Sequence, residues 1–383
     1  MTKNLFAVFV SLFFSTQVFS ATYYVSTNGA STYPYDTWET AATTIKAAVD
    51  AAADGDTVLV TNGVYETGGV TNYPAGSALS NRVAVYKPIT VRSVNGAAVT
   101  LIKGRSTNCR CVYMADGSSL IGFTLAGGGT FTGSYSSSDC SGGGAYCEPA
   151  AALSNCVLTG NSAWASGGGV YGGTLYNCIL SNNSARWYGG GVSQGTLYDC
   201  TLSRNSSEYE GGGACNGSLY DCTLSGNTAY IGGGADYARL HNCQVTGNSA
   251  ELKGGGTYGC ILSNCTLTGN SAHMGGGACG GALYRCALSE NSVPGYGGGV
   301  YDGTLYYCTL SGNSGGSGGG AYGGALNNCM LYGNSASEGG GVFEGNLNNC
   351  TISGNSVIET GGGACNGTLY NCIVWYNSGG NLA

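Results

Sequence analysis

The sequence is short of charge, of proline and of histidine. Lys and Arg number 13 and Asp and Glu 20, so 9% of the 383 residues are charged, against about 25% in an ordinary globular domain. That scarcity excludes a long coiled coil and a charge-swollen disordered chain. The basic residues are scattered and the net charge is −7, so the electrostatic footprint of a nucleic-acid binder is missing and no nucleic-acid partner is expected. Five prolines and the lack of a three-residue glycine period exclude collagen. After the first twenty residues no apolar run is long enough to cross a bilayer, so no transmembrane segment is expected in the mature chain. What the sequence has instead is 71 Gly, 28 Tyr and 19 Cys.

Residues 1–20 read as a secretory leader. Lys3 supplies a positive start, Leu5–Phe14 is an apolar core, and Ser20 is a small residue before Ala21. The expectation is an exported protein, secreted or held at a bacterial-type cell surface or outer membrane.

The rest is mostly one repeat. Cysteines recur every 21 or 22 residues at Cys156, Cys178, Cys200, Cys222, Cys243, Cys265, Cys286, Cys308, Cys329, Cys350 and Cys372. A Leu stands three residues before each (Leu153 to Leu369), and an aliphatic residue stands two after (Leu158 to Val374). Five after each stands an Asn: Asn161, Asn183, Asn205, Asn227, Asn248, Asn270, Asn291, Asn313, Asn334, Asn355 and Asn377. A glycine triplet such as Gly167-Gly168-Gly169 ends nine residues before each cysteine from Cys178 onward.

Around Cys178-Ile179-Leu180 the pattern alternates in, out, in, the period of a strand with one buried face. A unit this short has no room for a strand plus a crossover helix. It fits one coil of an all-β, single right-handed parallel β-helix, whose equivalent strands lie about 4.8 Å apart. Length varies only between the Asn and the next glycine triplet, where segments such as Arg186-Trp187-Tyr188 differ freely. These are expected to be surface loops along one edge, where any binding specificity would sit.

Stacked Asn side chains are expected to pass amide hydrogen bonds from coil to coil, and Asn tolerates the left-handed backbone such a bend is expected to need. The glycine triplets are expected to supply positive φ and close coil contact. The eleven cysteines share one inward column and are expected to be free buried thiols, because equivalent side chains about 4.8 Å apart are too far for a bridge. Cys215, Cys279 and Cys365 share an outward column, and the first two lie three coils apart, too far to pair. Only Cys109, Cys111, Cys140 and Cys147, in the irregular N-terminal part, are candidates for disulfides. No Asp follows the glycines in the register of a calcium-binding nonapeptide, and no His accompanies the thiols. Neither a metal nor a cofactor is expected.

Before the repeats, 22–26 and 56–61 read as strands. Between them Thr44–Ala53 places Ile45, Ala48, Val49 and Ala52 at helical spacing, as a capping helix over the first coil. The resulting division is a leader (1–20), an N-terminal cap with irregular early coils (21–126), a Gly/Ser-rich projection and transition coil (127–155), and regular repeats (156–383). Six residues follow the last ladder Asn, and no cap, anchor or barrel is expected among them. An uncovered last coil would favour end-to-end self-association, unless the tail folds over it or the chain is shortened.

Tyr23-Tyr24-Val25, the helix, Gly55–Val60 and Gly63-Val64-Tyr65 resemble the cap of pectin-lyase-like right-handed β-helix proteins. The repeats are similar to those of polymorphic outer membrane proteins, of autotransporter-passenger type. Gly168-Gly169-Val170-Tyr171 stands for their Gly-Gly-Ala-Ile, and Leu180-Ser181-Asn182-Asn183 for their Phe-x-x-Asn. The departures are Leu for Phe, a third Gly, and a Cys two before the Leu. The resemblance implies the fold over about 22–378. For function it implies a range: lyases, hydrolases, adhesins and passengers share this scaffold.

An enzyme on this scaffold needs clustered carboxylates and a base or acid. Asp199 and Asp221 share one column on successive coils, with Arg204 and Asp236 near, but that column is Asn in most other coils (Asn177, Asn242, Asn264), so Asp reads as a variant bend residue. His241 and His273 fall in different columns. No catalytic residue is therefore assigned. Candidate glycan-contacting residues are Trp164, Trp187 and Tyr188 on the loop edge and the column Tyr176, Tyr198 and Tyr220, whose plainer reading is cross-strand stacking. The expectation is a non-enzymatic surface protein for adhesion or scaffolding, with an extracellular polysaccharide or a host or cell-surface ligand as its partner. A polysaccharide lyase or glycoside hydrolase is the alternative.

Overall fold

The computed structural model describes residues 20–105, 107–131 and 138–383. The leader, apart from Ser20, lies outside the described residues, as do 132–137 of the Gly/Ser-rich projection. None of the described helices is long and apolar enough to cross a membrane.

Every repeat becomes one coil of a solenoid with three faces. A strand such as Val170–Tyr171 enters a thirteen-stranded sheet, Thr174–Tyr176 a fifteen-stranded sheet, and Ile179–Ser181 a fourteen-stranded sheet. The strands of these three sheets pair parallel with their equivalents one coil away, without slip: Leu153 pairs with Leu175, Leu175 with Leu197 and Leu197 with Leu219. The coil is right-handed, as parallel strand–crossover–strand connections are. Identical registers put like side chains above like. Leu175, Cys178 and Leu180 all point inward at 0–1% exposure, while Ile179 between the last two is 46% exposed. This is the alternation read from the sequence. The continuous core runs from Val25 to Ile352.

The first coil is closed by the helix Ile45–Ala51. Thr44 caps it, its hydroxyl accepting from Ala47 N at 3.3 Å, and Ile45, Ala48 and Val49 face the core. The base of the projection is held firmly. Arg110 is fully buried and donates to Asn81 Oδ1 (2.7 Å), Gly142 O (2.8 Å), Ser138 O (2.6 Å) and Ser141 O (2.7 Å). Five donors in one rigid fork are what such a set of carbonyls requires. Asp139 accepts from Ser77 Oγ and from Ala78 and Leu79 N.

The ladders form with one change of role. From Asn183 onward each ladder Asn uses its Oδ1 to accept both the backbone N–H and the Nδ2–H of the Asn one coil earlier, and the Oδ1 of Asn161 accepts from Gly128 N instead. Asn227 Oδ1 accepts from Asn205 N (2.9 Å) and Nδ2 (3.1 Å), and Asn227 Nδ2 donates to Leu202 O (3.0 Å). The ladder residues are not left-handed, contrary to expectation. The left-handed bends fall one residue before the cysteine (Asn155, Asn177, Asp199, Asp221, φ +50° to +55°) and one before the ladder Asn (Asn182, Arg204, both φ +54°). Likewise only the first glycine of each triplet has positive φ. The second and third serve close approach: a Cβ on Gly212 would meet Thr228 O at 2.3 Å.

The edge segments are more ordered than loops. Ser162–Ala163, Ser184–Ala185, Ser206–Ser207, Thr228–Ile231 and Ser249–Lys253 form a five-stranded parallel sheet, and three later segments form a three-stranded one. They stack because every second residue after the ladder Asn is small and packs inward, as Ala163, Ala185, Ala250 and Ala272 do at 4–8% exposure. By covering the outer face of the thirteen-stranded sheet they bury the outward cysteines: Cys215, Cys279 and Cys365 are 0–6% exposed.

The eleven ladder cysteines are thiols, and Cys109, Cys111 and Cys147 are also buried thiols rather than disulfides. At the far end the chain folds back on the last coil. Asn381 Oδ1 accepts from Asn377 N (3.2 Å) and Nδ2 (3.1 Å), adding a rung to the ladder, and Ala364 N donates to Asn381 O. Leu369, Cys372 and Val374, whose equivalents are buried in earlier coils, are only half-buried there.

Candidate functional site

Equal coil lengths bring side chains of the edge segments into rows. Trp164, Arg186 and Glu208 stand three residues after successive ladder Asn, 22 residues apart. They line one open groove of about 610 Å³ with Thr107, Thr130, Ser162, Ser184 and Ser206. The Arg186 guanidinium lies 4.3 Å from the Trp164 ring centroid and 5.5 Å from that of Trp187. Its Nε faces Glu208 Oε2 at 3.3 Å, an ion pair with the Arg side chain about one-third exposed. One row further, Trp187 stacks on Tyr209 with centroids 4.2 Å apart. The Trp164 indole N–H finds no acceptor among the described residues. The groove thus offers hydroxyls and apolar ring edges around a charge pair that nearly cancels, the Trp164 indole N–H itself being buried. Such a surface suits a polyhydroxylated, weakly charged ligand.

Of the six candidate residues, Trp164 and Trp187 meet around Arg186. Tyr188 pairs across the coils with Glu210 instead. Tyr176, Tyr198 and Tyr220 lie on another face, the fifteen-stranded sheet, where they stack nearly parallel with centroids 5.3 and 5.0 Å apart. Parallel stacking turns the ring faces to one another and leaves edges and hydroxyls to solvent. Asp199, Asp221 and Arg204 are exposed residues of the left-handed bends, and Asp221 accepts from Asn242 Nδ2.

Sequence reasoning missed three features. The first is Arg186 and Glu208 themselves, which the shared 22-residue spacing with Trp164 would have revealed. The second is another aromatic column, two residues after the glycine triplets, in which Tyr146 and Tyr171 stack at 5.0 Å and Tyr301, Tyr322 and Phe343 at 5.3 Å. The third is a shallow groove of about 540 Å³ that gathers His273, Glu338 and Glu359 from different coils.

No protein-family model matches the chain, and no curated protein matches it. Among solved structures it is similar to the A-module of the Azotobacter vinelandii mannuronan C-5 epimerase AlgE6, at 14% identity over 88% of this chain and 94% of that one, with a TM-score of 0.40. It is also similar to the Dettilon tailspike protein, at 11% identity over 94% of this chain and 68% of that one, TM-score 0.40. A polygalacturonase from Erwinia carotovora ssp. carotovora matches at 11% identity over 96% and 99%, TM-score 0.34. Likeness at this level does not reach side chains.

Proposed function

We propose that the protein is an exported, non-enzymatic β-helix that works in adhesion or scaffolding at a bacterial-type cell surface, and that it holds a glycan in the groove of Trp164, Arg186 and Glu208. The leader-like residues 1–20 and the resemblance of the repeats to polymorphic outer membrane proteins support the location. The observation that carries the binding reading is the groove's composition: aromatic rings, a row of serine and threonine hydroxyls, and one mutually neutralised ion pair. With the charges paired and the whole chain at −7, the groove favours a neutral glycan over a polyanion, so retention changes little with salt. Trp164→Ala and Arg186→Gln each weaken retention of a bound neutral glycan by about tenfold, roughly 1.4 kcal/mol, in affinity electrophoresis. Unchanged retention in both variants refutes the groove as the site.

A second reading, a polysaccharide lyase or glycoside hydrolase, draws on one observation, the groove of His273, Glu338 and Glu359. Two carboxylates lining one groove are the minimum for acid–base cleavage of a glycosidic bond. This reading expects product release that falls in Glu338→Gln and Glu359→Gln and is indifferent to Trp164→Ala.

A further inference from the structure

The outer face of the thirteen-stranded sheet carries a column that the edge segments cover. From coil to coil it reads Tyr171, Ser193, Cys215, Asp236, Tyr258 and Cys279. Phenols, hydroxyls and thiols tolerate that half-apolar setting; a carboxylate does not. Asp236 is nevertheless 0% exposed, and neither of its carboxylate oxygens has a hydrogen-bond donor among the described residues. Burying such a group without donors or counter-charge costs several kcal/mol.

Two further ligating groups converge on it. Cys215, paired with Asp236 across the sheet, is 0% exposed. Glu210 comes over both from the edge segment. The chain turns sharply after it, at Gly211 (φ +63°), and runs so close to the strand that a Cβ there would fall 2.8 Å from Cys215 Cβ. One ligand atom from each of Glu210, Cys215 and Asp236 lies within 4.8 Å of the other two. An acidic thiol–carboxylate cluster with an unpartnered buried carboxylate lacks a positive centre.

We propose that Glu210, Cys215 and Asp236 bind one divalent cation of the zinc type through the Cys215 sulfur and one oxygen of each carboxylate, with a fourth position open on the Glu210 side. Three atoms no more than 4.8 Å apart admit a common centre within about 2.8 Å of each, so small side-chain rotations reach roughly 2.3 Å for Zn–S and about 2.0–2.2 Å for Zn–O. The sulfur selects against calcium and magnesium, which take oxygen shells of six or more. Glu210 is only half-buried, which gives the ion its way in. On binding, Cys215 loses its thiol proton to solvent, and so does any carboxyl that holds one. The ion ties an edge segment to the sheet beneath it.

The test uses the full chain, stripped with chelator and titrated with Co²⁺ alone and then Zn²⁺ alone. The expected result is one Co²⁺ per chain with a sulfur-to-cobalt charge-transfer band of a single thiolate, displaced by Zn²⁺. Cys215→Ser abolishes the band. Asp236→Asn keeps it but weakens affinity at least about tenfold, the lower bound for losing even a supporting group. Circular dichroism checks each variant; if Asp236→Asn does not fold, the half-exposed Glu210→Gln makes the same comparison. No uptake by the wild-type chain, which would leave a proton shared between Glu210 and Asp236 as the neutralising charge, overturns the proposal. So does a band unchanged in Cys215→Ser, which would place the metal on the ladder thiols.

Discussion

Asn227 shows how much of the molecule one side chain holds. It is fully buried, accepts two hydrogen bonds from Asn205 and donates to Leu202 O and to Asn248 Oδ1 (2.9 Å). Asn227→Ala leaves at least three buried polar groups short of a partner, at about 1–3 kcal/mol each. The expected loss is about 3 kcal/mol or more of unfolding free energy, read from urea denaturation followed by circular dichroism. A change below about 1 kcal/mol would contradict the ladder account. The column itself was legible, because an amide recurring at fixed spacing beside an apolar strand has few other uses. Its backbone was not. The true left-handed sites hold Asn, Asp, Arg, Tyr and Gly by turns, so no single residue type marks them, and Asp199 and Asp221 are legible as bend residues only by analogy with Asn177 and Asn242.

Within one coil, the glycine triplet and the edge segment decide what can be varied. Gly212→Ala drives a methyl into Thr228 O and Gly233 O, 2.3 and 2.5 Å from the new Cβ, and the coil has no flexible neighbour to give way. Gly247→Ala meets open space and carries only the left-handed penalty at φ +61°, about 1–2 kcal/mol. Thermal unfolding of the two variants is expected to separate them clearly, Gly212→Ala losing several kcal/mol; equal loss would contradict the packing argument. At this scale the strand pattern of Cys178-Ile179-Leu180 was legible because period two is a local signal. The pairing of the edge segments was not, because it exists only between coils. For the same reason the sequence could mark Cys215 as outward yet not show that Glu210 and its neighbours cover it. Trp164 was found as an aromatic residue on an edge; Arg186 and Glu208 acquire meaning only when the 22-residue rows are superposed.

As a whole molecule the solenoid explains the composition. Inward and close-contact positions recur on every coil, and charge is left mainly to the edge segments and the left-handed bends. Nineteen cysteines in a chain whose first twenty residues read as a secretory leader would ordinarily imply bridges, but the ladder cysteines are free thiols stacked in the core. Burial also holds Cys111 and Cys260 far from ionising, their thiols pushed up to about 12. Thiolate is the reactive form, so alkylation of the native chain at pH 8 is expected to reach the half-buried Cys372 first. Most other cysteines should label only after denaturation, without reductant. Thiols that stay unlabelled after denaturation until reductant is added would contradict this.

Function at this scale depends on whether a ligand is held or cut. The most direct measurement is a panel of neutral and acidic polysaccharides, scored on the same protein for retention and for released reducing or unsaturated ends. The account predicts salt-tolerant retention of a neutral glycan, weakened about tenfold by Trp164→Ala, with no product. Release of product that disappears in Glu338→Gln, or retention indifferent to Trp164→Ala, would contradict it.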